Sequence, residues 1–505
     1  MKLKRAVLYS LFISLFAATL AAQTPTGTLE GTVVDQTGGA VASATVRIVN
    51  LATNEAKQLT TDSGGRFTLL YVNPGTYTVT VTATGFGPAE ERNIKVDVGQ
   101  VRTLPFTLTV GQVSEKVEVN AEATPLDIST STIGTVIDNR KVNDLPLLGS
   151  GPRNPFSLAE LTPAVNNVGG ASTPHMAGSR NAVNEEQLDG ITNIMPENNV
   201  GNNVAAYTPI VDSIQEFNVQ INSTSAEYGR FGGGVINVVT KSGTNQWHGG
   251  LFFFDQATVL DANDFFANRG GQPRPNVFQH EYGGTVGGPV AIPHVYDGHN
   301  KTFAFFGFEG TNWGAPATET DTVPIAPFRT GDFSLLNTTI YDPTTVHALS
   351  NGNLVRNPFP NNIIPQANIS SIGTNVIGYF PSPNCGGAGA QTANYCVAGT
   401  NKSDDDHFDS RIDHNFTDNW RMFVRFSHDW ADNTPLSDYG SAASAGWSGP
   451  DKGGAWSVAM DHTLTISPTL IADFRYGGNA RSSVESNGSL VTHSTTPFSA
   501  WQLRA

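Results

Sequence analysis

The residues that could carry out chemistry are few and lie far apart. The 11 His residues include no pair at i, i+4 spacing, and neither His-Glu-x-x-His nor Gly-x-Ser-x-Gly occurs. A zinc hydrolase needs the first pattern to place two imidazoles on one helix face, and a serine hydrolase needs the second to expose its nucleophile. We therefore expect no enzyme, and so no catalytic residue, metal or cofactor.

Two other patterns suggest ligand sites. Residues 404–407, Asp-Asp-Asp-His, could bind a cation, but an EF-hand-type loop needs spaced carboxylates and a bidentate Glu. We expect a solvated turn there that leads into a strand. Glycines 232–234 could form a phosphate loop, but Thr240 precedes Lys241 where such a loop requires Gly.

The N-terminus predicts export. Lys2, Lys4 and Arg5 precede a largely apolar run, 6–18, and small residues follow it. This is the pattern of a secretory signal peptide, assigned to residues 1–22, with a short membrane anchor as the alternative. No later stretch reaches about 18 apolar residues, so we expect any part that spans a membrane to be a β-barrel.

The two cysteines of the chain are Cys385 and Cys396. An exported protein matures in an oxidising compartment, where a pair at this short separation favours a disulfide over a metal site. Two free thiols in a loop are the alternative.

The composition excludes some function classes. With 29 Lys+Arg against 44 Asp+Glu, the formal net charge is -15, whereas nucleic-acid binding needs a basic surface. Only 14% of the residues are charged, and there are 52 Gly and 29 Pro, which argues against helical bundles and coiled coils. At 505 residues, more than one domain is expected.

Residues 27–110 have the pattern of half-buried strands. Tyr77, Val79 and Val81 alternate with threonines, and turn sequences separate several such strands, as in a small antiparallel sandwich. The stretch resembles the carboxypeptidase regulatory-like domain in the motifs Gly31–Asp35, Thr61–Phe67, Pro74–Tyr77 and Gly85–Phe86. The resemblance implies a non-catalytic spacer, and its fold is shared with carbohydrate-binding modules.

Residues 111–126 are predicted to be a linker. Val117, Glu118 and Val119 resemble the TonB box of energised outer-membrane transporters, although Asn120 stands where Thr is common. A free extended stretch can pair with the sheet edge of a partner. The alternative is that this stretch is the last strand of the preceding sandwich.

Residues 127–245 contain a series of motifs that follow one another in a characteristic order. Their residues are Asp189, Gly190, Tyr228, Gly229, Gly233, Gly234, Asn237, Thr240 and Gly243. These motifs resemble the plug domain of TonB-dependent receptors, a small α/β unit that lies inside a large barrel and gates it. Asp189-Gly190 suits a tight turn, because Gly accepts a positive φ, and glycines 232–234 could let the backbone pass close to a barrel wall. A soluble α/β domain with glycine turns is the alternative.

Residues 246–505 are predicted to form the N-terminal part of an outer-membrane β-barrel. In the stretches 407–413, 456–466 and 470–476, apolar residues alternate with polar ones, as in strands with a lipid face and a lumen face. The Pro-, Asn- and Gly-rich stretch 310–401 is expected to be an extracellular loop. Aromatic clusters at 251–254, 303–308, 420–430 and 498–501 are typical of interface girdles.

The strand count predicts an incomplete cylinder. Roughly seven or eight strands follow the plug, whereas plugged lumens belong to barrels of about 22 strands. We expect a truncated barrel, or one whose remaining strands are supplied elsewhere. The result would be an open sheet with an unpaired edge.

These patterns together predict a mainly β protein with an N-terminal β-sandwich, a small α/β plug and a partial antiparallel transmembrane β-barrel. The predicted function is an Oar-like, TonB-dependent receptor or transporter of the outer membrane, with its N-terminal domain in the periplasm. Its expected partners are a TonB-type energy-transducing protein, outer-membrane lipid and an unknown extracellular ligand, and no nucleic acid. The alternative is a non-transporting adhesin or envelope interaction protein, with carbohydrate binding by residues 27–110 as a third hypothesis.

Overall fold

The computed structural model describes most of the chain after the predicted signal peptide, which lies outside the described residues. The described residues are 26–111, 117–120, 133–145, 147, 153–166, 174–180, 183–197, 202–221, 229, 231–260, 262–263, 265, 274, 277–387, 389–440, 450–467, 470–487 and 490–496. In this part of the chain, no helix is long and apolar enough to cross a membrane.

The first unit is a sandwich of two sheets. Its strands are β1 (Gly27–Asp35), β2 (Thr45–Asn50), β3 (Ala56–Thr60), β4 (Arg66–Val72), β5 (Gly75–Thr82), β6 (Ala89–Val96), β7 (Val101–Leu108) and β8 (Val117–Asn120). One sheet has the order β4-β1-β7 and the other the order β3-β2-β5-β6-β8. Tyr77, Val79 and Val81 are buried, because alternate side chains of β5 point into the core. The apolar faces of both sheets share one core, which confirms the predicted sandwich.

The second unit is built on a five-stranded mixed sheet of order β13-β12-β17-β16-β9. Its elements are β9 (Ile133–Asp138), α1 (Asn139–Asp144), β10 (Val165–Asn166), β11 (His175–Met176), β12 (Glu185–Leu188), β13 (Ile191–Thr192), β14 (Ile194–Glu197), β15 (Asn202–Ala205), β16 (Ile214–Ile221) and β17 (Gly234–Thr240). Helix α1 begins after Asp138, whose carboxylate accepts the N–H of Lys141 at 3.1 Å. Strand β17 is buried along its whole length, since it lies in the middle of the sheet and both of its faces are covered.

The third unit is an eight-stranded antiparallel sheet in which neighbours in space follow the chain order. Its strands and the small elements between them are β18 (His248–Ala257), β19 (Phe278–Pro289), β20 (Ala291–Ile292), β21 (Tyr296–Asp297), β22 (Thr302–Asp321), α2 (Ala326–Arg329), β23 (His347–Ala348), β24 (Leu354–Val355), α3 (Ser371–Ile377), β25 (Tyr395–Thr417), β26 (Trp420–Thr434), β27 (Asp451–Ser467), β28 (Leu470–Asn487) and β29 (Leu490–Thr496). Among the described strands, β18 and β29 are not paired with each other, so this sheet is open.

The two ends of the sheet differ. Residues 418–419 join β25 to β26 by a very short connection, whereas 322–394 is a long connection at the opposite end of the sheet. In outer-membrane barrels the short turns face the periplasm and the long loops face outward. The long connection is shorter than the predicted 310–401, because β22 and β25 extend into it.

The two faces of the sheet follow the predicted alternation. On β27, Trp456 and Ile466 are exposed, whereas Ser457, Ala459 and Asp461 are buried on the inner face. Not every aromatic faces outward. Within the predicted girdle 303–308, Phe303 and Phe305 are buried on the inner face while Phe306 is exposed, because successive residues of a strand alternate between faces.

Residues 404–407 lie inside β25, so the expected solvated turn was wrong. Their polar character is compatible with a strand, because the inner face of this sheet meets the polar surface of the second unit rather than lipid.

Candidate functional site: the interface between the second unit and the sheet

The turn at Asp189 and Gly190 brings a carboxylate to the inner face of the eight-stranded sheet. These two residues have φ of 51° and 76° and join β12 to β13. Such angles favour Gly and, among other residues, Asn and Asp. The Asp189 carboxylate is fully buried and accepts hydrogen bonds from the N–H of Thr240 at 3.0 Å and from its hydroxyl at 2.8 Å.

The same carboxylate pairs with two arginines of the sheet. Arg411 Nη1 lies 3.1 Å from Asp189 Oδ1, and Arg425 Nε lies 2.8 Å from Asp189 Oδ2. Arg411 also lies over the Phe423 ring, 4.3 Å from its centroid. A buried carboxylate is tolerated when cations and donors satisfy it in this way. We call Asp189, Thr240, Arg411 and Arg425 the Asp189 cluster.

A second buried ion cluster has the opposite polarity. Arg153 of the second unit donates to Glu281, to Glu309 at 3.0 Å and to Asp212 at 3.0 Å. Its guanidinium also lies over the Phe254 ring, 4.3 Å from the centroid. Glu281 and Glu309 project from neighbouring strands of the sheet, whereas Asp212 belongs to the second unit. Here the second unit therefore contributes the cation and the sheet two of the three anions. We call Arg153, Asp212, Glu281 and Glu309 the Arg153 cluster.

Further contacts join the second unit to strands across the sheet. The Tyr207 hydroxyl donates to Asp409 at 3.1 Å, Ser242 donates to Asp413 at 2.7 Å, and Asn479 donates to the carbonyl of Thr192 at 2.7 Å. Together with the two ion clusters, these bonds reach from β19 to β28. The second unit is therefore seated against the inner face of the sheet by polar contacts.

The glycines of the plug motif serve different contacts. A Cβ at Gly233 or Gly234 would lie 2.0 Å from Asn184 Oδ1 or 2.4 Å from Met176 Sδ, so these glycines allow close packing within the second unit. The close approach to the sheet occurs instead at Gly243, where a Cβ would lie 2.4 Å from the carbonyl oxygen of Ala304. The expectation that glycines 232–234 pass close to the barrel wall was wrong, because their neighbours belong to the second unit, and Gly243 makes the close approach to the sheet.

The remaining plug-motif residues take no part in the two clusters as described. Asn237 is buried in β17, and Gly229 is exposed with open space where a Cβ would lie. Tyr228 lies outside the described residues.

The candidate TonB box is an edge strand. Val117, Glu118 and Val119 form most of β8, which pairs in parallel with β6 in the register Val117↔Ala89 and Val119↔Glu91. In this structure the stretch therefore extends the sandwich, as in the alternative interpretation, and is not free.

The two cysteines lie on the long-loop side of the sheet. Cys385 and Cys396 are joined by a disulfide, which ties the long connection to the start of β25.

A cavity of about 360 Å³ lies between the second unit and the sheet, on the long-loop side. Carboxylates line it from four successive strands of the sheet, and Arg153, His407 and Arg481 supply basic groups. Within the described residues, no group of three or more His, Cys, Asp or Glu is arranged to hold a metal ion. The charged and polar lining suits a polar ligand. The acidic residues are Glu309, Asp405, Asp429 and Asp451.

Sequence reasoning missed Arg153 and the two acidic partners on the sheet. The sequence did contain a signal for the two glutamates, because the alternation of polar and apolar residues in β19 and β22 assigns Glu281 and Glu309 to the inner face. It does not show which cation they meet.

Comparison with known proteins gives two family matches and distant structural likenesses. The family model described as an outer membrane beta barrel domain matches residues 239–500, and the carboxypeptidase regulatory-like domain matches residues 28–109. The chain is 25% identical over 291 residues to the TonB-dependent transporter Oar of Myxococcus xanthus, which covers 54% of this chain and 26% of that protein. The chain thus spans about a quarter of this curated relative.

Solved structures of outer-membrane proteins resemble the chain at low identity. The outer membrane transporter YddB from Escherichia coli has 12% identity and a TM-score of 0.44, over 70% of this chain and 40% of that one. The siderophore receptor PirA from Acinetobacter baumannii has 12% identity and a TM-score of 0.41, over 72% of this chain and 43% of that one.

Proposed function

Because the chain belongs to the outer membrane beta barrel domain family and so resides in the outer membrane, we propose that it forms part of a TonB-dependent transporter for an extracellular ligand. The observation that carries the proposal is the second unit seated on the inner face of the sheet by two buried ion clusters of opposite polarity. A unit held in this way blocks passage until its ion pairs are exchanged. We therefore interpret it as a plug.

The proposal assigns a role to each part of the chain. The assigned parts are a signal peptide at 1–22, a periplasmic sandwich at 27–110, a linker with a possible TonB box at 111–126, the plug at 127–245 and the N-terminal part of the barrel at 246–505. A ligand enters from the long-loop side and binds in the carboxylate-lined cavity, where Arg153 and Glu309 belong to both the cavity and the Arg153 cluster. A TonB-type partner then pulls the linker, and the plug rearranges.

The lining of the cavity indicates a polar ligand but does not identify it. A ligand with hydrogen-bond donors or positive charge would interact favourably with Asp405, Asp429 and Asp451. Peptides, glycans, siderophores and vitamins remain the classes to be screened.

The test is energy-dependent uptake in cells that produce the chain. A panel of labelled peptides, glycans, siderophores and vitamins is screened for accumulation with and without an uncoupler of the proton-motive force. In a second treatment, residues 113–121 are replaced by a Gly/Ser stretch of equal length, so that the length of the linker does not change. This replacement should abolish accumulation and leave surface binding intact. Accumulation that survives both treatments contradicts the proposal.

The same experiment separates transport from the alternative, an adhesin or envelope interaction protein. An adhesin binds its ligand equally well with and without an uncoupler, and the linker replacement leaves that binding unchanged. Binding without any energy-dependent accumulation would favour this second function.

A further inference from the structure

The sandwich lies across the short-turn end of the sheet. Asn54 Nδ2 lies 3.1 Å from Asn300 Oδ1, next to β22, and the Lys57 ammonium donates to the carbonyl of Asp418, between β25 and β26. Arg421 Nη2 donates to the carbonyl of Tyr71 at 2.5 Å. The sandwich therefore contacts several turns of the sheet at once.

The sandwich also faces the two strands β27 and β28. A pocket of about 30 Å³ between them is lined by Leu70 and Tyr71 of the sandwich and by Thr463 and Ile471 of the two strands.

The sandwich also contacts the plug directly. The N–H of Val98 donates to Glu216 Oε1 at 2.5 Å, and Asn218 Nδ2 donates to the carbonyl of Val98 at 2.7 Å. Val98 and Glu216 are both buried. These paired, buried backbone groups indicate a specific contact between the two units.

A chamber of about 490 Å³ lies between the three units. The plug contributes Ser242 and the sheet contributes Arg411 and Phe423, whereas sandwich residues 50–53, 55 and 73–76 border its remaining side. Whatever passes the plug toward the short-turn end enters this chamber and meets the sandwich.

We propose that the N-terminal sandwich is a second gate, a cap that closes the short-turn end of the passage below the plug. The direction of passage rests on the proposed function, whereas the closure rests on the contacts above. Strand β8, which contains the candidate TonB box, is an edge of the same five-stranded sheet as β3, which carries Lys57. A pull on β8 therefore acts on the cap, and not on the plug alone.

The first test asks whether the cap is docked. In purified membranes, the variant N54C/N300C, with a protease site in the linker, is treated with a short bismaleimide and then cleaved. The native cysteines form a disulfide and do not react. Docking predicts that the sandwich stays covalently joined to the sheet. The pair N54C/N351C, with Asn351 on the long-loop side, should release it. Equal release by both pairs would overturn the proposal.

The second test asks whether docking closes the chamber. The variant S242C, which places a thiol in the chamber lining, is labelled with N-ethylmaleimide with and without K57A/R421A. Because two hydrogen bonds from charged groups are lost, labelling should accelerate by about tenfold or more. The control K452A/R356A removes the same residue types at the long-loop end, away from the cavity, and should not change the rate. An unchanged labelling rate in K57A/R421A would indicate that the sandwich is a spacer and does not close the chamber.

Both measurements use the full chain without ligand or energising partner. Failure of the cap therefore leaves the proposed transport untouched, and failure of energy-dependent uptake leaves the docking result standing.

Discussion

The side chain of Asp189 interacts both with the rest of the plug and with the sheet. Its carboxylate accepts two hydrogen bonds from Thr240 and forms ion pairs with two guanidiniums of the sheet, and all four side chains are buried. Removing one partner of a buried ion pair costs more than the pair contributes, because the remaining charge stays buried.

We predict that Asp189→Ala lowers the free energy of unfolding by about 3–5 kcal/mol, because the buried Arg425 loses the carboxylate with which it pairs, whereas Arg411 keeps its pair with Asp413. The measurement is the urea midpoint in detergent, converted with the slope of the wild type. Asp255→Ala is the matched control, since its pair with His280 is partly exposed and should contribute about 0–1 kcal/mol. Equal midpoints for the two variants would reject the role given to the cluster.

At this scale the sequence predicts the turn but not its partners. Asp189-Gly190 has a local signature, because a tight turn requires particular backbone angles. Arg411 lies 222 residues further along the chain and has no local signature that assigns it to Asp189. Arg153 is harder still, since one arginine in an irregular segment forms no pattern until the sheet places Glu281 beside it.

The strands of the sheet were the most predictable elements. Side chains of a strand alternate between faces, so a buried inner face and a lipid-exposed outer face appear directly as a period of two. Residues 404–407 were misinterpreted because consecutive acidic residues usually mark solvent. Here alternate members of that run face a polar plug instead. A sequence shows polarity, but it does not show whether water or protein satisfies it.

Gly243, between β17 and β18, supplies a prediction at the scale of elements. A Cβ there would lie within 2.8 Å of backbone atoms of Gly288 and Ala304, which cannot move without distorting β19 and β22. We predict that Gly243→Ala destabilises the protein by about 1–3 kcal/mol through overpacking.

Limited trypsin digestion of the plug and thermal melting measure this effect. Gly250→Ala is the control, because nothing lies within 4 Å of the Cβ position at Gly250. If both variants melted at the same temperature as the wild type, the close approach of the plug to the sheet would not restrict the residue at position 243.

At the scale of the whole molecule, a family resemblance predicted a plug but no pattern predicted where the sandwich lies. Docking depends on single residues from distant segments, such as Asn54 and Asn300, which are 246 positions apart. Each of them is an ordinary surface residue in its own segment. The three-unit arrangement therefore emerges only when the surfaces are assembled.

The contact between sandwich and plug should respond to pH through Glu216. Burial, followed by the charge of Asp97, raises the pKa of Glu216 to about 8, while Lys95 acts in the opposite direction. Asp138 is the other charged group of this contact, since it pairs with Lys95 at 3.7 Å. An undocked Glu216 would be exposed and would titrate near 4.5, the ordinary value for Glu. The docked state therefore keeps a proton that the undocked state has lost.

We predict that docking weakens as the pH rises from about 5 to about 8, by up to ~1.4 kcal/mol per pH unit, and changes little outside that window. Glu216→Gln stays neutral and still accepts the N–H of Val98, so its docking should not depend on pH. The measurement is the yield of the N54C/N300C cross-link across this pH range. The yield of the protein that has Glu216 is divided by the yield of the Glu216→Gln variant at each pH. The ratio cancels the pH dependence of the maleimide reaction. A ratio that stays constant would mean that Glu216 does not hold the proton at this contact, whereas a falling ratio would make the cap open more readily in alkaline surroundings.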